Sequence, residues 1–337
     1  MANPVADDTT ALIKRLSQQA RRKLGASKPA GIDRFVRQYY AHVAPSDLNA
    51  VAEKDLLGGV LSAWKTLRSR KLGEPDIRII NPDSAKDGWS CEHTVIEIVN
   101  DDMPFLVDSI TTELNRLSLT VFLVIHPVIR VRRGKSGRLT EILENGAPSS
   151  DSIAESVMHI EIDEQSLPGS LGRLQERLEE VLGDVRNSVD DWRAMRVQVA
   201  DLIAELDSEP PPLPADELGE AQAFLRWLED DNFTFLGYSE SNFTDTAGGT
   251  KYSVIPGKRL GILKRKSLVI FEGVTHGKLL PAEIARYARK PDLLTFSKSN
   301  GRSTVHRSVH LDTIALKKFD AAFRRPVYIG RISPIRA

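Results

Sequence analysis

The hydrophobic pattern of the chain changes its period at Asp76, and this change limits the folds available to it. Before that point apolar side chains recur every three to four residues, which is the spacing of amphipathic helices. They are Leu12, Ile13, Leu16, Phe35, Tyr39, Val43, Val51, Leu56, Leu57, Val60, Leu61 and Trp64. From Asp76 onward, apolar and polar residues alternate in DIRIINP (76–82) and HTVIEIVN (93–100), as in half-buried strands. The sequence predicts a helical segment over residues 1–75, followed by an α+β region.

A helix and a long strand are predicted directly after HTVIEIVN. Pro104 suits the first helical position, and Asp101 and Asp102 place negative charge at the positive end of the helix dipole, so a helix is predicted from near Met103. Its apolar face carries Val107, Ile110, Leu114 and Leu117. TVFLVIHPVIRVRR (120–133) reads as one strand, whose proline favours a sheet edge or a bend.

A second strand and helix complete the first α+β unit. SVMHIEID (156–163) alternates again, and Pro168 opens a helical pattern that continues to Leu206. The order from residue 76 is strand, strand, helix, strand, strand, helix, whereas a ferredoxin-like unit ends on a strand. We therefore expect DIRIINP to fill the open edge, giving a permuted two-layer sandwich over residues 76–206 with a four-stranded antiparallel sheet.

The proline-rich, acidic stretch DSEPPPLPADE (207–217) predicts a linker between two domains. A second α+β domain is predicted over residues 218–337. Its expected strands begin at Phe233 and include KYSVI (251–255), LVIFEG (268–273), LLTFSKS (293–299) and HRSVHLDTIALKKF (306–319), with a helix at PAEIARYAR (281–289).

Composition excludes several classes of partner and site. Lys plus Arg and Asp plus Glu both number 46, so no net field favours nucleic acid or an anionic membrane. Cys91 is the single cysteine and forms no intramolecular disulfide, and the N-terminus lacks the apolar core of a signal peptide. No apolar run approaches the roughly 20 residues of a membrane span. The expected location is the cytoplasm.

No catalytic constellation is visible in the sequence. His93, His126 and His159 lie in predicted strands, and neighbouring strands can bring two of them together; two histidines do not define a metal site, and half-exposed sheet histidines are the alternative. His306 and His310 share only a strand face. Dinucleotide, Walker and nucleophile-elbow patterns are absent. We assign no catalytic residue, metal or cofactor to this chain.

Two loops are candidate binding sites. The first is the loop before the first helix of the α+β region, where free helix N–H groups can donate hydrogen bonds to a ligand. The alternative is that the two aspartates only complement the helix end. Its residues are Asn100, Asp101, Asp102, Met103 and Phe105. The second is KSNGRSTVHR (298–307), which clusters cations and hydroxyls around a turn and would hold an anion; the alternative is a solvated turn. Its candidate ligands are Lys298, Arg302, Ser303, Thr304 and Arg307.

Four stretches carry a family resemblance. DDMPFLVDSITTEL (101–114) with HPVIRVRR (126–133), and FLRWLEDDNFTFLGY (224–238) with KSNGRSTVHR, resemble the N-terminal region of the large bacterial NAD-specific glutamate dehydrogenases. Their order and spacing match over residues 34–319.

The resemblance implies two ACT-like, ferredoxin-like regulatory domains and a large homo-oligomer that assembles through sheet edges or helices. It also implies a dehydrogenase domain further along the family's chain, which oxidises glutamate to 2-oxoglutarate and ammonia with NAD. Because this sequence stops at Ala337, no active-site residue is carried over and the chain alone is expected to be inactive. The stretch DAAFRRPVYIGRISPIRA (320–337) looks unlike the family, so the last strand is expected to be incomplete or replaced. Phe105 stands where amino-acid-binding ACT domains commonly have glycine.

Three hypotheses of function follow. The leading one is a regulatory and assembly segment of a NAD-dependent glutamate dehydrogenase that responds to an amino-acid effector. The second is a purely structural scaffold or a stand-alone amino-acid sensor. The third, an independent enzyme with a site between the two units, lacks any visible acid, base or nucleophile.

Overall fold

The computed structural model describes residues 4–25, 31–144, 149–268, 272–290, 292–319 and 326–336. It divides into two compact units. The first unit contains Met1–Met103 and Glu113–Glu180, and the second contains Pro104–Thr112 and Val181–Ala337. Within the described residues, no helix is both long and apolar enough to cross a membrane.

The predicted N-terminal helices are confirmed, and they cover one face of the first unit's sheet. They are α1 (Pro4–Leu24), α2 (Ile32–Tyr40), α3 (Pro45–Ala50) and α4 (Glu53–Leu67). Phe35 of α2 packs against α4: its ring centroid lies 5.4 Å from that of Tyr39 in α2 and 5.3 Å from that of Trp64 in α4, and all three side chains are buried. The same apolar cluster contains Val99 and Val157 of the sheet.

The first unit's sheet is antiparallel, with DIRIINP at its edge as predicted. Its strands are β1 (Asp76–Ile80), β2 (Thr94–Asp101), β3 (Val121–Ile125), β4 (Val128–Arg133), β5 (Leu139–Ile142) and β6 (Ile153–Ile162). The order is β1-β2-β6-β4-β5, and β3 also pairs with β6. Ile77 lies opposite Ile98 in the β1–β2 ladder.

The sheet has six strands where four were predicted. The expected long strand is interrupted at His126 and Pro127, so β3 and β4 follow one another along β6. Proline has no N–H for the ladder; the Pro127 carbonyl instead accepts a bond of 3.0 Å from the Val157 N–H. After the turn at Gly134–Gly137 the chain returns as β5, a strand that the sequence did not predict.

The predicted helix near Met103 starts three residues later. Helix α5 (Leu106–Arg116) is preceded by Phe105, whose φ of 72° is left-handed and therefore not helical. The next helices are α6 (Ser170–Asp190), α7 (Trp192–Ser208) and α8 (Ala215–Trp227). The stretch predicted as a linker thus contains the end of α7 and the start of α8, and both helices belong to the second unit.

The second unit's sheet is also antiparallel, in the order β8-β7-β11-β10-β9. Its elements are β7 (Phe233–Thr246), β8 (Gly249–Gly261), α9 (Ala282–Ala288), β9 (Leu294–Arg302), β10 (His310–Phe319) and β11 (Pro326–Arg336), with short helical turns at Leu228–Asn232 and Ile262–Lys264. The predicted strand LVIFEG lies partly outside the described residues. The divergent tail forms β11, which pairs with both β7 and β10. The predicted α+β class with antiparallel sheets is confirmed.

One face of this second sheet packs on helices α7 and α8. Ile314 and Leu316 of β10 share an apolar cluster with Leu202 of α7 and Leu225 of α8, and all four side chains are buried. The side chains at alternate positions of β10 lie on the opposite face, toward α9.

Candidate functional site

The first predicted loop is largely occupied by internal bonds. Asn100 is buried, and Asp101 is the last residue of β2, where its carboxylate accepts a bond of 2.5 Å from Arg70. The Asp102 N–H donates to the Ala154 carbonyl at 3.0 Å, while its side chain is exposed and Met103 is half-buried. Asp101 therefore neutralises an arginine, and Asp102 is the aspartate whose charge stands in solvent.

Phe105 belongs to the second unit, where it meets the second predicted loop. Its ring centroid lies 5.2 Å from that of His306, and both residues have left-handed backbones, with φ values of 72° and 66°. The His306 N–H donates to Ser109 Oγ at 2.9 Å, and its Nδ1 lies 3.1 Å from Asp108. Strained backbone at two touching non-glycine residues requires strong local packing, and here it fixes the second loop against the start of α5.

The other candidates of the second loop also have local partners. Lys298 donates to Asp312 at 2.5 Å, Thr304 donates to Asp184 at 2.5 Å, and Arg302 donates to the Ser308 carbonyl at 2.8 Å. Ser303 donates to the Val305 carbonyl at 2.8 Å, and Arg307 is exposed. Lys298 and Arg302 thus lie on β9 and the other three residues lie in the loop that follows it, and four of the five side chains already make bonds that an anion would have to replace.

A polar cavity lies in the first unit, between helices α2–α4 and the sheet. Its volume is about 440 Å³. The described residues of its lining include four carboxylates and two histidines but neither lysine nor arginine; these six residues are Asp47, Asp55, Glu92, His93, His159 and Glu161. Since no lysine or arginine among the described lining residues offsets the carboxylates, the cavity favours a ligand that carries positive charge.

His159 is the most constrained polar group of this cavity. Its side chain is buried, and Nε2 lies 3.2 Å from Glu161 Oε1. Burial would raise the pKa of Glu161, but the His159 hydrogen bond and the nearby His93 lower it below its usual value. Glu161 is therefore ionised and can only accept, so Nε2 of His159 donates this hydrogen bond.

Two buried polar atoms of the cavity lining have no hydrogen-bond partner among the described residues. They are His159 Nδ1 and the Tyr39 hydroxyl, whose rings meet edge to face at 6.4 Å. Burial, followed by the charges of Tyr40, Glu97 and Glu161, raises the pKa of Tyr39 well above its usual value, so the hydroxyl stays protonated. Unpartnered buried polar groups are costly, which makes this pair the best marker of a binding function in the unit.

Cys91 contributes a thiol to the lining of this cavity. Burial raises the pKa of the Cys91 thiol to about 11, which leaves it protonated and unreactive near neutrality. His93 stacks on Phe122 with ring centroids 4.0 Å apart. In the part of the chain that the structure describes, no three His, Cys, Asp or Glu side chains are grouped to hold a metal ion. The arrangement suits binding.

Sequence reasoning found the histidines of this site but missed its other members. Tyr39, Asp47 and Asp55 come from helices predicted as a separate segment, and their approach to β6 is a long-range contact without a local signal. Glu161 had a signal: it alternates with Val157 and His159, on the strand face that the helices cover.

Comparison with known proteins identifies similar sequences. The family model described as "Glutamate dehydrogenase, ACT1 domain" matches residues 35–178, which include most of the first unit. The chain is 35% identical over 291 residues to an NAD-specific glutamate dehydrogenase of Pseudomonas aeruginosa, covering 86% of this chain and 18% of that protein.

Two further relatives bear the same name. The protein of Halomonas elongata is 34% identical over 311 residues, covering 92% of this chain and 19% of its own length. That of Mycobacterium tuberculosis is 27% identical over 179 residues, covering 53% of this chain and 11% of its own. The chain therefore spans less than a fifth of the length of the curated relatives it matches.

Proposed function

This chain belongs to the family of NAD-specific glutamate dehydrogenases, and from that premise we propose that it is a regulatory segment whose first unit binds an amino-acid effector. The observation that carries the proposal is the acidic cavity beside His159, with two buried polar atoms that lack a partner among the described residues. A site with binding groups and no reactive group suits an effector better than a substrate.

The charges of the cavity indicate how such an effector would bind. The ligand's ammonium pairs with Glu161, while His159 Nδ1 and the Tyr39 hydroxyl supply further hydrogen-bonding groups. A ligand carrying only carboxylates would meet four like charges. The site therefore favours a zwitterionic amino acid over a dicarboxylate such as 2-oxoglutarate.

The test is calorimetric titration of the chain with glutamate, aspartate, alanine, leucine and 2-oxoglutarate. We expect at least one amino acid to bind more tightly than 2-oxoglutarate, and Glu161→Gln to weaken its binding about tenfold or more. Glu164→Gln is the matched control, because this exposed carboxylate lies three residues further on and outside the cavity lining.

Unchanged affinity in Glu161→Gln would place the effector elsewhere. Asp102→Asn then tests the first predicted loop, where the exposed aspartate would pair with the ligand's ammonium and free helix N–H groups would meet its carboxylate. A similar titration of Arg307→Gln tests the second loop with phosphate, because Arg307 is its exposed cation. If no amino acid binds, the scaffold alternative gains.

The assembly role is a second part of the same proposal. We expect the parent protein to be a cytoplasmic homo-oligomer that contacts its copies through sheet edges or helices of this segment, and edge strands such as β1 offer unpaired backbone groups for such contacts. Sedimentation velocity at several concentrations measures this directly. A monomer at all concentrations would contradict assembly through this segment alone.

The parent reaction is also a proposal for this protein. We expect a full-length enzyme of this family to oxidise glutamate to 2-oxoglutarate and ammonia with NAD, as the names of the relatives suggest, and allosteric control would require the effector to bind two states unequally. The isolated chain should produce no NADH from glutamate and NAD. Turnover in that assay would favour the independent-enzyme alternative.

A further inference from the structure

The second unit's sheet buries a polar face. Alternate residues of β9 and β10 share this face: Thr295, Ser297, Thr313, Ala315 and Lys317. Such a pattern ordinarily belongs to a face in contact with water. Here Thr313 and Lys317 are only 2% exposed, because helix α9 lies over them.

Between this face and α9 lies a cavity of about 290 Å³. Its remaining walls are mainly apolar and aromatic, contributed by Phe243, Tyr252, Val274, Leu280, Ile284, Tyr287 and Ala288, and they include one carboxylate, that of the exposed Glu283. The sheet thus supplies the buried polar groups, and the helix and the neighbouring segments supply the apolar ones. This combination is typical of sites for small, largely apolar ligands with one polar anchor.

Lys317 is the cation of the cavity, and its side chain is buried. Its Nζ donates to the Lys290 carbonyl at 2.9 Å and lies 5.8 Å from the centroid of the Tyr287 ring. Within the described ranges, no carboxylate oxygen lies within ion-pair distance of it. Burial lowers the pKa of Lys317, against a weaker opposing attraction from Asp292. An ammonium has three donors, and a buried one without an anion is unfavourable.

Thr313 provides a second, independent sign of an incomplete site. Its hydroxyl is buried and has no hydrogen-bond partner among the residues the structure describes. Thr313 lies four residues before Lys317 on the same strand, about 13 Å away between Cα atoms. At the two ends of the polar row that lines the cavity, Thr313 therefore lacks a hydrogen-bond partner and Lys317 lacks an anion among the described residues.

We propose that this cavity is a binding site for a small monocarboxylate with an apolar body, whose carboxylate pairs with the Lys317 ammonium. A ligand's carboxylate supplies the anion that Lys317 lacks among the described residues, whereas a second charge would be stranded against apolar walls. The apolar walls bury the rest of the ligand. This site is separate from the acidic cavity of the first unit and prefers a ligand of opposite charge, so it does not depend on the function proposed above.

Three six-carbon probes that differ only in the head group test the proposal: hexanoate, hexan-1-ol and hexylamine. In calorimetric titrations of the unaltered chain at neutral pH, hexanoate should bind about tenfold or more tightly than hexan-1-ol, because a charge-assisted bond replaces a neutral one. Hexylamine should bind most weakly. This comparison needs no variant and is therefore independent of any effect on folding.

Lys317→Met should abolish the preference for hexanoate while keeping the apolar walls. Lys318→Met is the matched control. This substitution also removes a cation from β10, but the Lys318 side chain lies on the other face of the strand and bonds to Glu205. If methionine disturbs packing, Lys317→Gln gives the same readout. Equal binding of hexanoate and hexan-1-ol, no binding of either, or a preference that survives both Lys317 variants would overturn the proposal. Glu161→Gln should leave hexanoate binding unchanged, which keeps this test distinct from that of the first cavity.

Discussion

Each unit buries cationic side chains, but the two units treat the charge differently. In the first unit, Arg70 and Arg133 flank Glu155, and all three side chains are at most 1% exposed. Arg70 donates to Glu155 at 3.0 and 2.6 Å and to Asp101 at 2.5 Å, and Arg133 donates to Glu155 at 2.7 and 2.6 Å. In the second unit, the Lys317 ammonium donates to one backbone carbonyl and lies over one aromatic ring.

The difference separates a structural charge from a binding charge. Two guanidinium groups with two carboxylates form a network whose charges balance and whose donors are well used, and such a network fixes the position of β2, β4 and β6. An ammonium left without an anion stabilises nothing by itself. It is retained at a cost to folding, and binding is the physical reason the structure offers for that cost.

The largest expected effect is on the balanced network. Glu155→Gln should lower the free energy of unfolding by about 3–5 kcal/mol, because two buried arginines would lose their main counter-charge. Urea denaturation measures it. Glu141→Gln is the control, since this carboxylate pairs with Arg132 at a partly exposed position and its loss should cost about 1 kcal/mol or less. A loss below about 1 kcal/mol for Glu155→Gln would remove the distinction drawn above.

A neutral core residue sets the scale for that loss. Leu114 is fully buried, as the helical periodicity predicted, and Leu114→Ala should cost about 2–5 kcal/mol by leaving a cavity. The same urea experiment applies. An unchanged midpoint would show that the surrounding side chains collapse into the space, and Glu155 would then have no apolar benchmark in this unit.

Lys317 should behave in the opposite way to Glu155. Lys317→Met should leave stability unchanged or raise it by up to about 4 kcal/mol at pH 7 without ligand, because an apolar side chain replaces an uncompensated buried charge. A loss of more than about 1 kcal/mol would mean that the carbonyl and the ring already satisfy the ammonium, and the contrast between the units would fail.

The pH dependence of the same variant sharpens this prediction. Burial lowers the pKa of Lys317 in the folded state below the usual 10.5, so between the two pKa values the unfolded chain binds more protons than the folded one. Stability of the native chain should therefore rise with pH through the folded pKa and level off near 10.5. The advantage of Lys317→Met over the native chain should shrink across that window, and an advantage independent of pH would contradict the burial of a charged lysine.

The smallest effect is expected at Asp102, which neighbours the network but does not belong to it. Asp102→Asn should lower the free energy of unfolding by at most about 1 kcal/mol, since the Asp102 side chain is exposed near the start of α5. Asp101→Asn should cost more, because it removes a carboxylate from buried Arg70. Equal losses in thermal melts of the two variants would show that the Asp101 contact adds nothing to the Glu155 contacts.

Local signals predicted the elements, and long-range packing decided the sites. Alternation found β2 and β6, and helical spacing found Leu114. The same alternation suggested that β2 is half-exposed, yet residues 94–100 are all buried, because α4 covers the face of Glu97 and places Thr66 Oγ 2.7 Å from its carboxylate. Nothing local in the sequence shows which helix covers which face.

The two sites show the same limit. Asp101 and Asp102 look equivalent in the sequence, and only the fold reveals that one of them faces a buried arginine. Lys317 and Lys318 are likewise indistinguishable as letters, although alternation along β10 places one under α9 and the other beside Glu205. A charged residue in a strand is ordinarily predicted to face solvent. This prediction is wrong when a short helix covers the polar face of the sheet.

The position of β11 in the second sheet has a consequence for the order of events during synthesis. Strands β7 and β8 follow one another and pair, and so do β9 and β10, so each pair can form as soon as it leaves the ribosome. Pro326–Arg336 then enters between β7 and β10 and joins the two pairs. Until those residues emerge, both pairs expose strand edges that other nascent chains can bind. The second unit should therefore complete its fold late and slowly, and its vulnerable interval is set by the time needed to make about 90 residues after β7 begins.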